Sequence, residues 1–122
     1  MARLGEARGR EAEALAKAHL ERGGYQVVAT RKRTLGGELD LVAWDGPTLV
    51  FVEVKARSDA GFGRAEEMVD RRKQERLGQA AAAYLAELGP PPPPCRFDVV
   101  AVDMGSGPPK LRHLPDAFRL GD

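Results

Sequence analysis

The sequence predicts an α/β fold: a three-layer sandwich in which helices flank a mixed central sheet, with elements in the order α-β-β-β-α-β-β. Two segments show the apolar spacing of amphipathic helices, and five are rich in the β-branched and aromatic residues typical of strands. A length of 122 residues suits one compact domain. We therefore expect residues 1–122 to form a single domain.

The composition excludes several classes of protein. Because the sequence contains one cysteine, Cys95, it can form neither an internal disulfide nor a zinc site with several thiolates. No apolar run approaches the ~18 residues that span a membrane, and the charged N-terminal segment lacks the apolar stretch of a secretory signal. We expect a cytoplasmic protein that has no membrane partner.

The first predicted helix covers residues 6–23. Its small and apolar side chains, among them Leu15 and Leu20, fall on one stripe, and Gly23 begins the glycine pair that ends the helix. Residues 25–30 then have the composition of a strand.

Two further strands, residues 38–44 and 48–55, are separated by a turn so short that they must form a hairpin. With Gly46 and Pro47 as the two loop residues, the register follows directly, and a one-residue slip would send the paired side chains to opposite faces. The register pairs Asp45 with Thr48, Trp44 with Leu49, Asp40 with Glu53, and Glu38 with Lys55.

The second predicted helix follows a loop over residues 56–69. Asp70 is suited to cap its N-terminus, and the apolar spacing continues to Leu88. A run of prolines then forms a stiff connector. Two strands complete the order: residues 95–104, which should be buried, and residues 109–114, a weaker edge strand closed by Pro115.

The hairpin brings together residue types suited to metal-dependent hydrolysis. Opposed side chains in an antiparallel pair lie about 4.5–5.5 Å apart at Cβ, so the Asp40 and Glu53 carboxylates would repel each other without a cation between them. Mg²⁺, or Mn²⁺ in its place, accepts such oxygen ligands, and the Val54 carbonyl could add another. Lys55 would orient the attacking water, and Glu38 would position Lys55. Together these residue types predict hydrolysis of a phosphodiester.

Basic residues cluster on both sides of this motif, although the formal net charge is only +1. Such clusters can hold a nucleic-acid backbone, or they can simply be solvated faces. The motif has a similar alternative, in which Glu38 and Lys55, with or without Glu53, form surface ion pairs worth at most about 1 kcal/mol. The residues expected to bind nucleic acid are Arg31, Lys32, Arg33, Arg57, Arg71, Arg72, Lys73 and Arg76.

The motifs resemble a known family. Asp40 followed after twelve residues by Glu53-Val54-Lys55 is similar to the signature of the restriction-endonuclease-like, or PD-(D/E)xK, nucleases, which include archaeal Holliday-junction resolvases. The resemblance is closer to the YraN-like uncharacterised bacterial family and extends over nearly the whole chain. It rests on Gly9, Glu13, Gly24-Tyr25, GGELDLVA at 36–43, FVEVKAR at 51–57, Lys73-Gln74, Leu77, RFDVV at 96–100 and Asp116-Ala117-Phe118.

The resemblance implies a restriction-endonuclease-like fold and a role for each matching residue. Asp40 and Glu53 look like the metal-binding carboxylates, and Lys55 like the catalytic lysine. Glu13 is similar to an acidic residue that relatives bring from the first helix, with Glu11 as its rival. Gln74 matches a polar position that supports the site.

We therefore expect a metal-dependent endonuclease that acts on nucleic acid, chiefly on branched or single-stranded DNA. One alternative is a non-catalytic nucleic-acid-binding module with the same fold. Another is an interaction protein, in which Asp40 and Glu53 would not converge. Because many relatives of this fold are dimers, the sequence also leaves open whether this chain forms a homodimer.

Overall fold

The computed structural model describes residues 4–57, 69–105 and 107–120. The predicted order α-β-β-β-α-β-β is confirmed, while most of the predicted loop 56–69 lies outside the described residues. The elements are α1 (Leu4–Arg22), β1 (Gln26–Thr34), β2 (Gly37–Asp45), β3 (Thr48–Arg57), α2 (Arg71–Leu88), β4 (Cys95–Asp103) and β5 (Lys110–Phe118).

The five strands form one mixed sheet in the order β1-β2-β3-β4-β5. Neighbouring strands are antiparallel except for β3 and β4, which are parallel. A parallel pair requires a long crossover connection, and the segment that contains α2 supplies it. The mixed character predicted from the sequence is therefore confirmed.

The two helices cover opposite faces of the sheet. From α1, Ala12, Ala16 and Leu20 pack against the face that carries Leu41 and Val52. On the other face α2 contributes Leu77, Ala80 and Ala81, which contact a cluster that contains Leu39, Val42 and Phe51. This is the predicted three-layer sandwich. Within the described ranges, no helix is long and apolar enough to cross a membrane.

The predicted boundaries differ most from the observed ones at β1 and β5. β1 continues through the basic residues 31–33 to Thr34, because the Thr34↔Gly37 pair closes a second tight hairpin. The prediction that the last strand ends at Pro115 is wrong, since β5 runs to Phe118. As β5 is an edge strand whose pairing with β4 shifts between Phe97 and Val99, it can accommodate a residue without an N–H.

Candidate active site

The β2–β3 hairpin brings Asp40 and Glu53 together. Its pairs, from Asp45↔Thr48 to Leu41↔Val52, have the predicted register, and Asp40 and Glu53 are the next two residues in that register. Asp40 lies close enough to Glu53 for its charge to raise the pKa of Glu53. The two carboxylates therefore converge, which the interaction-protein alternative did not expect.

The Asp40 carboxylate ends the backbone ladder between β2 and β3. Its Oδ2 accepts a hydrogen bond of 2.9 Å from the backbone N–H of Val54, in a position that a β2 carbonyl would otherwise fill. In a strand the N–H and C=O of one residue point the same way, so the Val54 carbonyl also points toward β2. The predicted third oxygen therefore points toward the side of β3 where Asp40 lies.

Glu53 is a buried acid, with 5% of its side chain exposed. It lies two residues after Phe51 and shares the face covered by α2. Burial, followed by the charge and hydrogen bond of Asp40, raises the pKa of Glu53 to about 7, although Lys73 and Lys55 oppose this shift. At neutral pH this pair of carboxylates therefore favours binding either a proton or a cation.

Two ammonium groups approach the same oxygen of Glu53. Lys55 Nζ lies 3.5 Å from Oε2, and Lys73 Nζ lies 3.3 Å from it. Lys55 belongs to the same strand face, as the sequence predicted. Lys73 comes from the first turn of α2, where its N–H donates to the N-cap Asp70 at 2.9 Å. The sequence had suggested Lys73 for nucleic acid, whereas its described ion pair is with Glu53.

Gln74, the helix residue predicted to support the site, has a different described contact. Its Nε2 donates to the Val69 carbonyl at 2.9 Å, and its N–H donates to the Asp70 carbonyl at the same distance. Gln74 therefore holds the segment that enters α2. Its predicted role at the carboxylates stays a prediction.

Glu13 reaches the neighbourhood of Asp40 through Arg31. Its Oε2 accepts a 2.8 Å hydrogen bond from Arg31 Nε, and the pairs that flank Arg31 place it beside Asp40 in the neighbouring strand. Arg31 has a φ of 50°, which is uncommon for an arginine. Since α1 covers the face opposite to Glu53, Glu13 approaches from the other side of the sheet. The catalytic role suggested for Glu13 stays a prediction.

Glu38 pairs with Arg33 across the β1–β2 hairpin, and the described β2–β3 pairs end at Leu41↔Val52, before the expected pair of Glu38 with Lys55. Its carboxylate lies 3.7 Å from the Arg33 guanidinium, and both side chains are largely exposed. Lys32 similarly lies 3.4 Å from the Glu87 carboxylate. Both pairs resemble the solvated surface ion pairs of the alternative interpretation, in which these charged residues do not bind nucleic acid. The other suggested nucleic-acid residues, Arg57, Arg71, Arg72 and Arg76, are exposed at the end of β3 and at the start of α2.

The donor set suits a hard divalent cation. Among the described residues no three His, Cys, Asp or Glu side chains are grouped so that they could hold a metal. Mg²⁺ does not need such a group, because it is typically bound through one or two carboxylates and keeps several waters. Asp40 and Glu53, with the Val54 carbonyl, therefore fit Mg²⁺ or Mn²⁺ and do not provide the nitrogen and sulfur ligands typical of Zn²⁺.

A second polar cluster surrounds Asp98 in β4, in a segment that carried the family resemblance but had no predicted role. Asp98 is fully buried and accepts hydrogen bonds from Arg96 at 2.8 Å and from the Asp116 N–H at 2.9 Å, and it lies 2.7 Å from His113. Burial raises its pKa, but the His113 and Arg96 hydrogen bonds outweigh burial, and the pKa is lowered. An acid within the apolar run FDVVAV was the available signal, because a buried charge needs partners.

The Asp98 cluster is separate from the Asp40–Glu53 pair. Arg96 also contacts Asp45 at 3.0 Å and the Tyr25 hydroxyl at 2.7 Å, at the end of β4 where the parallel strands begin. Through Asp98 and Arg96 the cluster joins β4 and β5 to the end of β2 and to Tyr25, which directly precedes β1. We therefore interpret this cluster as structural.

Comparisons with known proteins match most of the chain. A family model described as "Uncharacterised protein family UPF0102" matches residues 12–102. A UPF0102 protein of Dechloromonas aromatica is 52% identical over 116 residues, which cover 95% of this chain and 92% of the relative. One of Symbiobacterium thermophilum is 46% identical over 117 residues, covering 95% and 96%. One of Chlorobaculum tepidum is 41% identical over 120 residues, covering 93% of each chain.

Proposed function

The chain belongs to the family UPF0102, the YraN-like family that its motifs resemble, and from this premise we propose that it is a metal-dependent nuclease of the restriction-endonuclease-like superfamily. The substrate class that we propose is DNA, with branched or single-stranded forms first. The names of the relatives give the family and no activity, so the proposal rests on the chemistry of the site.

The observation that carries the proposal is the convergence of Asp40 and Glu53 beside Lys55. A buried carboxylate beside a second carboxylate is unfavourable for stability, as the raised pKa of Glu53 reflects. Perturbed acids next to a lysine are common at catalytic sites, because catalysis needs such groups and stability does not. The arrangement matches the residues required for metal-dependent hydrolysis of a phosphodiester.

Each residue has a distinct part in the proposed reaction. Asp40, Glu53 and the Val54 carbonyl would hold Mg²⁺, which supplies Lewis acidity and lowers the pKa of a bound water. Lys55, with its ammonium 3.5 Å from Glu53, is positioned to orient the attacking water and to stabilise negative charge on the phosphate. The Asp40–Val54 hydrogen bond fixes the carboxylate, which limits reorganisation of the site during the reaction.

Exposed basic residues next to the site would bind the rest of the substrate. Arg71, Arg72 and Arg76 belong to the first turns of α2, the same segment that brings Lys73 to Glu53. Contacts of this kind bind phosphates without reading sequence, and they weaken with salt. The proposal therefore includes salt-sensitive binding with little sequence preference.

The direct test is cleavage of a panel of junction, flap, duplex and single-stranded DNA with Mg²⁺ or Mn²⁺. We expect cleavage by the unsubstituted protein and a loss of about 100-fold or more in Asp40→Asn and Lys55→Ala. Glu21→Gln, which removes an exposed carboxylate from α1, is the matched control and should cleave normally. Cleavage that persists in both site variants would come from a contaminant, and no cleavage of any substrate would overturn the proposal.

A non-catalytic nucleic-acid-binding module is the second candidate, and one observation favours it. Glu53 already has two ammonium partners, Lys55 and Lys73, so the charges at the site are balanced without a metal. This candidate predicts DNA binding at low salt that is equally strong in EDTA and in Mg²⁺, without cleavage. Binding that requires the divalent cation would rule it out.

A further inference from the structure

Lys73 belongs to a segment that carries the family resemblance, but the resemblance gives it no role at the carboxylates. It is the third residue of α2, yet its ammonium lies 3.3 Å from the carboxylate of Glu53 in the central sheet. That distance is shorter than the 3.5 Å between Lys55 and the same oxygen. Lys73 is therefore a second cation of the site, contributed by a helix rather than by the motif strand.

The charges of the site balance only while both lysines are present. Asp40 and Glu53 carry two negative charges when ionised, and Lys55 and Lys73 carry two positive charges. A divalent cation held by the two carboxylates would leave the site with two excess positive charges. Because like charges a few ångströms apart repel strongly in a partly buried site, cation binding weakens the attraction of Lys73 to Glu53.

Besides its ion pair with Glu53, Lys73 lines a groove at the surface. Lys73 and Arg76 line a groove of about 350 Å³ between the start of α2 and the β1–β2 hairpin. At the hairpin, Gly36 lies so close to α2 that a Cβ there would be 2.2 Å from the Gln79 carbonyl. The acidic residue that lines the groove, Glu38, is countered by Arg33 at 3.7 Å. The groove is therefore lined by two cationic side chains and by a hairpin backbone that packs closely against α2.

We propose that Lys73 couples cation binding to nucleic-acid binding: it neutralises Glu53 in the cation-free protein and turns to a substrate phosphate in the groove when the carboxylates hold a divalent cation. This inference rests on the proposed function. It makes the groove between α2 and the β1–β2 hairpin the subsite for a phosphate next to the scissile one. It also makes Lys73 a positioning residue that competes with the cation for Glu53.

Coupling of this kind has a reciprocal signature. If the cation raises the affinity for DNA through Lys73, then DNA raises the affinity for the cation by the same factor. Removing the Lys73 charge has two opposite effects. The free protein binds Mg²⁺ more tightly, since a competitor is gone, while the cation-dependent gain in DNA affinity is lost.

The test measures binding and needs no turnover. Calorimetric titration with Mg²⁺ compares the unsubstituted protein with Lys73→Gln and with Arg22→Gln, a matched loss of one exposed charge at the end of α1. We expect Lys73→Gln to bind Mg²⁺ about fivefold more tightly than Arg22→Gln. A fivefold change in affinity corresponds to the free energy of a partly exposed ion pair. Lys73→Arg, which keeps the charge, should bind Mg²⁺ with nearly the unsubstituted affinity.

The second measurement is fluorescence anisotropy of a labelled single-stranded oligodeoxynucleotide in Ca²⁺ or in EDTA. The unsubstituted protein and Arg22→Gln should bind more tightly in Ca²⁺, and Lys73→Gln should lose this gain. If Lys73→Gln matches Arg22→Gln in either measurement, the role of Lys73 is wrong although the carboxylate site stands. If the unsubstituted protein and Asp40→Asn both fail to bind Mg²⁺, the proposed function and this inference are overturned together.

Discussion

The Asp40 carboxylate accepts a 2.9 Å hydrogen bond from the backbone N–H of Val54. This contact replaces a backbone pair at the point where the described ladder between β2 and β3 ends, and it fixes a carboxylate that raises the pKa of Glu53. A sheet gains nothing in stability from this exchange, because a backbone carbonyl would accept the same hydrogen bond. The contact does fix a carboxylate near a second, buried one.

Glu53 should make the cation-free protein less stable as the pH rises. Since its folded pKa is raised from 4.5 to about 7, the folded state keeps a proton that the unfolded chain releases within this window. The free energy of unfolding therefore falls as the pH rises through 7. We expect Glu53→Gln to be about 1–3 kcal/mol more stable than the unsubstituted protein above this window, and similar to it below.

Urea denaturation in EDTA at several pH values measures this difference, with Glu21→Gln as the control for loss of a carboxylate. Glu21→Gln should follow the unsubstituted protein at every pH. A Glu53→Gln variant that is less stable at alkaline pH would mean that the ion pairs with the lysines outweigh burial of the charge.

The affinity for Mg²⁺ should depend on pH through the same carboxylate. Below the raised pKa of Glu53, a proton competes with the cation, so the affinity should rise about tenfold per pH unit and level off above about 7. Calorimetry in buffers of different ionisation enthalpy measures both the affinity and the protons released. An affinity that stays constant across this window would exclude Glu53 as a ligand.

The buried cluster around Asp98 should be a major contributor to stability. Asp98→Asn replaces one acceptor oxygen by an NH₂ group and removes the charge that Arg96 and His113 contact, which should cost about 2–4 kcal/mol in the free energy of unfolding. Asp116→Asn is the matched control, because Asp116 contacts Asp98 through its backbone N–H and its φ of 52° suits asparagine. Chemical denaturation compares the two, and equal stabilities would refute the structural role.

Gly36 should tolerate no side chain. A Cβ there would lie 2.2 Å from the Gln79 carbonyl, so Gly36→Ala must push the β1–β2 hairpin away from α2, at a cost of about 2 kcal/mol or more. Gly9→Ala is the contrasting variant, since a Cβ at this helical position meets no atom within 4 Å. It should stabilise the protein by about 0.5–1 kcal/mol. Thermal unfolding distinguishes the two, and a stable Gly36→Ala variant would contradict the close contact.

The hairpin and the helix cap could be predicted from the sequence because local chemistry determines both. A two-residue loop at Gly46-Pro47 admits one register, and the observed pairs have it. Asp70 caps α2 as expected, accepting from the Lys73 N–H. In such cases the residues that fix the structure are adjacent in sequence.

The contacts of the helical residues could not be predicted in the same way. A strand residue has one of two faces, so Glu53 and Lys55 were correctly grouped. Neighbouring helical residues point about 100° apart, and tertiary packing decides which one reaches the sheet. This is why Lys73 rather than Gln74 contacts Glu53, and why the ion pair between Glu13 and Arg31 was not foreseen.

The central claim is that Asp40 and Glu53 bind one divalent cation, and Mn²⁺ soaked into crystals of the protein tests it most directly. Anomalous diffraction should locate one ion about 2.2 Å from an oxygen of each carboxylate, with the Val54 carbonyl within reach, and the peak should vanish in Asp40→Asn. A peak elsewhere, or none at saturating Mn²⁺ and alkaline pH, would contradict the claim.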